Sequence, residues 1–83
     1  MNQITNDYEA DSNFGRWLRD QRVCMGLTLE QTSLKTGITI SRLKALEMGY
    51  AERGITHGES EKISAAYKLV LREILSRAAG SEA

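Results

Sequence analysis

From Thr39 to Gly49 the chain reads TISRLKALEMG. Stepped at 100° per residue, Leu46 and Glu47 fall within about 60° of Leu43, while Ser41, Lys44, Ala45 and Met48 fall on the opposite side. The pattern predicts a helix with two leucines and one carboxylate inward and small, polar or cationic residues outward. Thr39 carries the side-chain oxygen that an N-cap needs, and Gly49 suits a helix C-terminus. The preceding stretch, Thr28 to Gly37, places Gln31 three residues after Thr28, the spacing of a capping box. A short helix therefore starts there and stops at Gly37, where a positive φ costs little. Two capped helices joined by a tight glycine turn form a helix-turn-helix pattern over about 28–49.

The flanking segments add helices of other kinds. Met1 to Asp11 is polar and aperiodic and predicts a mobile acidic arm. Ser12 to Met25 predicts a first helix, capped by Ser12 or Asn13 and ended by Gly26. Phe14, Leu18 and Met25 form its apolar stripe, with Trp17 or Val23 at the flanks and Arg16, Arg19 and Asp20 in water. Tyr50 to Gly58 is a glycine-punctuated loop. Glu59 to Ala79 lacks Gly and Pro and carries a wide apolar stripe, from Ile63 through Val70, Leu71, Ile74 and Leu75 to Ala78. It reads either as one long helix or as two with a bend near Lys68-Leu69. That stripe exceeds what a small monomer covers, so Val70, Leu71, Ile74, Leu75 and Ala78 are expected at a dimer surface. The alternative is that the whole stripe packs on the first helix.

Composition narrows the chemistry. Eighty-three residues make one domain with a small core. The single Cys24 excludes a disulfide framework or a Cys-rich zinc site within one chain. No apolar run reaches the ~18 residues of a membrane span, and the polar N-terminus is unlike a signal peptide. These features predict a soluble, cytoplasmic protein that uses no metal or other cofactor. His57 is the only histidine and has no nearby ligand partner in sequence. No paired catalytic carboxylates, phosphate-cradling glycine loop or nucleophile–base pair is visible, so an enzyme is not expected. Net charge is zero, but its distribution is uneven. Residues 1–13 hold three acids and no base, whereas residues 14–53 hold seven bases against four acids. The positive excess lies on the segment containing the two capped helices.

Two side chains ask for partners. Arg22 follows Leu18 by one turn, on the buried side of the first helix, where an unpaired guanidinium is costly. Glu47 is the inward carboxylate of the Thr39–Gly49 helix. The two either form a pair that pins these helices together or remain two solvated charges. Tyr50 and Arg53 are placed to reach phosphates beside that helix, or else belong to a solvated loop.

Gly26-Leu27-Thr28-Leu29-Glu30-Gln31, Thr36-Gly37-Ile38-Thr39 and Leu46-Glu47-Met48-Gly49, with Leu43, resemble the lambda-repressor-like (XRE or Cro-repressor-type) helix-turn-helix family, from about Phe14 to Leu75. Ala66 to Leu75 looks like that family's junction between its fourth and fifth helices. The resemblance implies an all-α, five-helix DNA-binding domain over 12–79, with C-terminal dimerisation helices over about 59–79. It implies an Arg22–Glu47 ion pair between the first and third helices. Ile40, Ser41, Lys44 and Ala45 match positions that face bases, and the N-terminus of the second helix at Thr28-Leu29 matches the phosphate-clamping end. No arginine stands at the exposed centre to read guanine, so base recognition is expected to lean on Lys44 and Arg42. The chain departs from the family at Leu29, often Gln, at Thr32 and Ser33, usually Leu and Ala, and at Leu34, usually polar.

These expectations describe a homodimeric transcriptional regulator, most simply a repressor, on a near-palindromic double-stranded DNA operator. Small members of the family often sit on plasmids, phages or other mobile elements and control their own promoters. A co-regulator or toxin is a further expected partner. The competing expectation is an antitoxin or protein-interaction module that keeps the fold with little DNA binding; neutral net charge, the acidic arm and Leu34 favour it.

Overall fold

The computed structural model describes the backbone from Gln3 to Gly80 and the side chains from Asn13 to Ala79. Five helices follow one another: α1 (Gln3–Cys24), α2 (Leu29–Thr36), α3 (Ile40–Met48), α4 (His57–Tyr67) and α5 (Leu71–Gly80). No strand occurs among the described residues, so the fold class is all-α. α1 packs on α3, α2 on both α3 and α4, and α5 on α4. Phe14 and Leu18 of α1 meet Ile38, Leu43, Leu46, Ile63, Tyr67 and Ile74 in one buried cluster.

Local signals set the boundaries of the middle helices. Thr28 accepts from the Gln31 N–H while the Gln31 side chain accepts from the Thr28 N–H, closing the capping box of α2. Thr39 caps α3 by accepting from the Arg42 N–H. Gly37 and Gly49 end these helices with φ of 79° and 84°, a region that glycine enters without a Cβ penalty. α4 starts at His57, two residues before the expected Glu59, because Thr56 and Glu59 close a second capping box. Lys68 adopts φ 59° and separates α4 from α5, which settles the C-terminal stripe as two helices.

α1 differs from its expectation at both ends. It begins at Gln3, so the backbone of Gln3–Asp11 is helical rather than an irregular arm, in a stretch without Gly or Pro. The acidic side chains Asp7, Glu9 and Asp11 lie outside the described residues. At the other end the helix stops at Cys24, and Met25, Val23 and Cys24 are exposed rather than packed. The inward stripe instead runs through Phe14, Gly15 and Leu18. Gly15 is the reason α1 and α3 approach so closely. A Cβ there would overlap the Glu47 carbonyl and lie 2.8 Å from the Leu46 carbonyl oxygen.

α2 keeps Thr32 and Thr36 inward and leaves Leu34 87% exposed. The Thr36 hydroxyl donates to the Thr32 carbonyl and accepts from the Ile38 N–H, so it ties the end of α2 to the start of the turn. The hydroxyls of Thr32 and Tyr67 are buried near each other, and neither makes a well-formed hydrogen bond. Burial raises the Tyr67 phenol above its ordinary pKa, and the nearby Thr32 hydroxyl opposes that rise.

α5 turns part of its apolar face to its own core. Ile74 is fully buried, so it does not belong to a free dimer surface. Leu71, Leu75 and Ala78 are half-buried, and only Val70, just before the helix, is strongly exposed at 67%. The Arg77 guanidinium lies 4.9 Å from the Trp17 ring centroid, and Trp17 stands 5.9 Å from Phe14. Trp17 is therefore a packing residue between α1 and α5, held partly by a cation–π contact.

Candidate nucleic-acid interface

The site grows from how α3 is fixed. Leu43 and Leu46 hold its inner face in the core, and Glu47 extends from the same face into a bidentate pair with Arg22. Arg22 Nε donates to Glu47 Oε2 at 2.7 Å and Nη2 to Oε1 at 3.0 Å. Its Nη1 donates to the Leu27 carbonyl at 2.8 Å, tying the α1–α2 turn into the same junction. The two side chains are only 12% and 5% exposed, and the Glu47 bond raises Arg22 above its already high pKa. Charge, hydrogen bonds and the Gly15 contact thus all fix the rotation of α3 about its own axis.

That rotation decides what α3 shows to solvent. Ile40, Ser41, Lys44 and Met48 are exposed, and Ala45 is half-buried between them. A cleft of about 370 Å³ runs between α1 and α3, lined by Arg16, Arg19 and Arg22, by Leu29, and by Lys44, Glu47 and Met48. Arg16, Arg19 and Lys44 are exposed and have no carboxylate partner among the described residues. With Glu47 already neutralising Arg22, three positive charges of the cleft have no carboxylate partner among the described residues. A cleft lined by cations of one sign raises the local concentration of anions.

Arg16 and Arg19, exposed on α1, are functional candidates that helical periodicity does not single out. Helical periodicity shows only that they point away from the α1 core stripe. That they stand beside Lys44 depends on the α1–α3 crossing. Thr28 is exposed at the α2 N-terminus, but its hydroxyl is engaged by the capping box, and Leu29 is half-buried against the core. Any anion there meets backbone N–H groups rather than side chains. Tyr50 and Arg53 are exposed on the loop after α3.

Arg42 departs from its expected place among base-facing residues. It bends away to α4, donating from Nε to Glu59 Oε2 at 2.7 Å and from Nη2 to Oε1 at 3.1 Å. Nη2 also donates to the Gly54 carbonyl at 2.7 Å, and Nη1 reaches the Glu52 carbonyl at 3.4 Å. Glu59 is held below the ordinary carboxylate range, first by the Arg42 hydrogen bond and further by the Thr56 backbone N–H, against desolvation. An arginine so fully engaged has no free fork to offer a base edge.

Among the described residues, no group of three or more His, Cys, Asp or Glu side chains is placed to hold a metal ion. His57 stands at the start of α4, where Nδ1 lies 3.5 Å from Glu61 on the surface. No described helix is long and apolar enough to cross a membrane. No protein-family model, curated protein or solved structure matches the chain.

Proposed function

We propose that this chain is a sequence-specific DNA-binding transcriptional regulator of the lambda-repressor-like helix-turn-helix type, acting as a homodimeric repressor. The observation that carries the reading is the outward face of α3 joined to the Arg16–Arg19–Lys44 cleft. A major groove accepts one helix, and cations on both sides of it meet the phosphate backbones. In this reading α2 and α3 are the two helices of the motif, and α3 lies in the groove. Ile40 meets a thymine methyl, Ser41 accepts or donates to either base type, and Lys44 donates to a guanine. Ala45 lets the helix approach closely, and Met48 covers the far end of the contact. Arg16, Arg19, Arg53, Tyr50 and the α2 N-terminus hold phosphates.

A second copy joins through Val70, Leu71 and Leu75, without the buried Ile74, and the pair spans half-sites about 34 Å apart. Bound there, the dimer occludes polymerase. Fluorescence anisotropy with duplex DNA from upstream of the chain's own gene, against scrambled duplex at two salt concentrations, tests this reading. Selective binding that weakens steeply with salt is expected. Equal, weak binding to both duplexes contradicts it. Lys44→Ala should lower affinity for the preferred duplex by roughly ten- to hundredfold while the melting temperature stays unchanged.

Leu34 favours a second reading. A leucine 87% exposed on α2 suits a protein partner, as in an antitoxin or an interaction module with little DNA affinity. Under that reading Leu34→Ser abolishes activity and Lys44→Ala leaves it intact.

A further inference from the structure

The loop between α3 and α4 is built around one guanidinium. Arg42 sits in the first turn of α3, where its own N–H is received by the Thr39 cap. Its side chain then engages two carbonyls of the loop, those of Glu52 and Gly54, and both carboxylate oxygens of Glu59. Glu59 simultaneously accepts from the Thr56 N–H and so closes the α4 cap. The pair is 25% and 17% exposed, sheltered enough for its hydrogen bonds to keep their strength. Between the anchored carbonyls the backbone is strained. Arg53 takes φ 63° and Gly54 φ 69°, two successive left-handed residues, of which only the second is a glycine. A non-glycine residue holds that conformation only where its surroundings over-determine it, and here the surroundings are Arg42 and the Gly54 N–H bond to the Ala51 carbonyl.

We infer that Arg42 and Glu59 are positioning residues: together they clamp the 52–56 segment to α3, so that exposed Arg53 stands in a fixed place relative to that helix and to Tyr50, whose own N–H is held by the Ala45 carbonyl. The inference rests on the DNA-binding reading for what Tyr50 and Arg53 touch, a sugar–phosphate backbone. The clamp itself rests on geometry alone. It also sets which residues confer specificity. With Arg42 withdrawn, base discrimination falls to Ile40, Ser41 and Lys44, while Arg42 contributes affinity indirectly through the loop.

Glu59→Gln is the variant that separates positioning from base reading. Glutamine keeps a side-chain oxygen for the Thr56 N–H, so the α4 cap survives, but the charged bidentate bond to Arg42 is lost. Amide hydrogen exchange on the free protein comes first. Exchange at Gly54, whose N–H bonds the Ala51 carbonyl, should accelerate at least severalfold, with the amides of α1 and α3 unchanged. Unaltered loop exchange overturns the clamp, whatever the protein binds. On DNA, the same variant should weaken binding to preferred and scrambled duplexes by the same factor, about two- to thirtyfold. The salt slope should fall by about one, the share of a single lost phosphate contact at Arg53. Arg42→Lys should reproduce both effects. Tighter binding or a changed base preference in Glu59→Gln overturns the inference, because it shows a released Arg42 reading bases. If the unaltered protein binds neither duplex, the DNA reading falls, and the exchange result alone decides the clamp.

Discussion

Two arginine–glutamate pairs grip α3, one near each end, and they are nearly identical in geometry. In both, Nε donates at 2.7 Å and a second nitrogen completes a bidentate bond, and in both the arginine also reaches a backbone carbonyl. They differ in what surrounds them. Arg22–Glu47 lies against the α1–α3 crossing, under Gly15 and close to Tyr67, whereas Arg42–Glu59 lies over a loop, and its carboxylate doubles as a helix cap. The first therefore governs whether the helices stay packed, and the second governs where a loop sits on a fold that is already packed. Chemically equal pairs acquire unequal energetic weight from burial, because only the more deeply buried one leaves a desolvated charge behind when its partner is removed.

That contrast orders the expected effects. The largest belongs to Glu47→Ala, which leaves the largely covered Arg22 guanidinium without its carboxylate. It should cost ~3 kcal/mol and lower the melting temperature by more than ~10 °C. An unchanged melting temperature would refute a structural role for the pair. Next comes Gly15→Ala, expected to cost about 1–3 kcal/mol, because α1 must move off the Glu47 carbonyl. Chemical denaturation would detect this as a lower midpoint with an unaltered slope.

Glu59→Gln should cost less, about 1 kcal/mol near neutral pH, since a quarter of the Arg42 side chain still meets solvent. Its cost should depend on pH. The folded-state pKa of Glu59 is depressed, so its contribution is present above the unfolded value near ~4.3 and is lost as pH falls through the folded value. The stability gap between the natural chain and Glu59→Gln should hold from pH 7 to 5 and close under acid. A gap that persists at the lowest pH at which the protein stays folded would assign the effect to packing instead. The smallest change is expected from Thr32→Val combined with Tyr67→Phe. These two buried hydroxyls lie near each other without a well-formed hydrogen bond, so removing both should leave stability equal or raise it by up to about 1 kcal/mol.

The same contrast marks what the sequence makes legible. Thr28 with Gln31, Thr39, Gly37 and Gly49 announce α2 and α3, because caps and glycine stops act within a few residues. Arg22 and Glu47 each stand out as a charge on an apolar face, so periodicity alone poses the question of their pairing. Arg42 and Glu59 lie on helix flanks, where a charge is unremarkable, and what joins them is the path of the intervening loop. Sequence alone therefore leaves Arg42 free for bases, whereas α4 supplies the carboxylate that withdraws it. Gly15 carries no signal in the sequence, and only the crossing of α1 over Glu47 gives it a purpose. Arg16 and Arg19 were legible as exposed cations, but their neighbourhood with Lys44 is a tertiary fact. Ile74 is covered by its own core, and an apolar stripe shows that a residue is apolar without showing which neighbour covers it.

We propose that the outward face of α3 reads base sequence, with Lys44 as its cation. Selecting duplexes from a random pool with the natural chain and with Lys44→Ala tests it most directly. The account predicts that the natural chain enriches a near-palindromic motif with half-sites about one helical turn apart. Lys44→Ala should recover the same motif with its preference lost at one guanine in each half-site. Enrichment of no motif by the natural chain, or of an identical motif by Lys44→Ala, would contradict it.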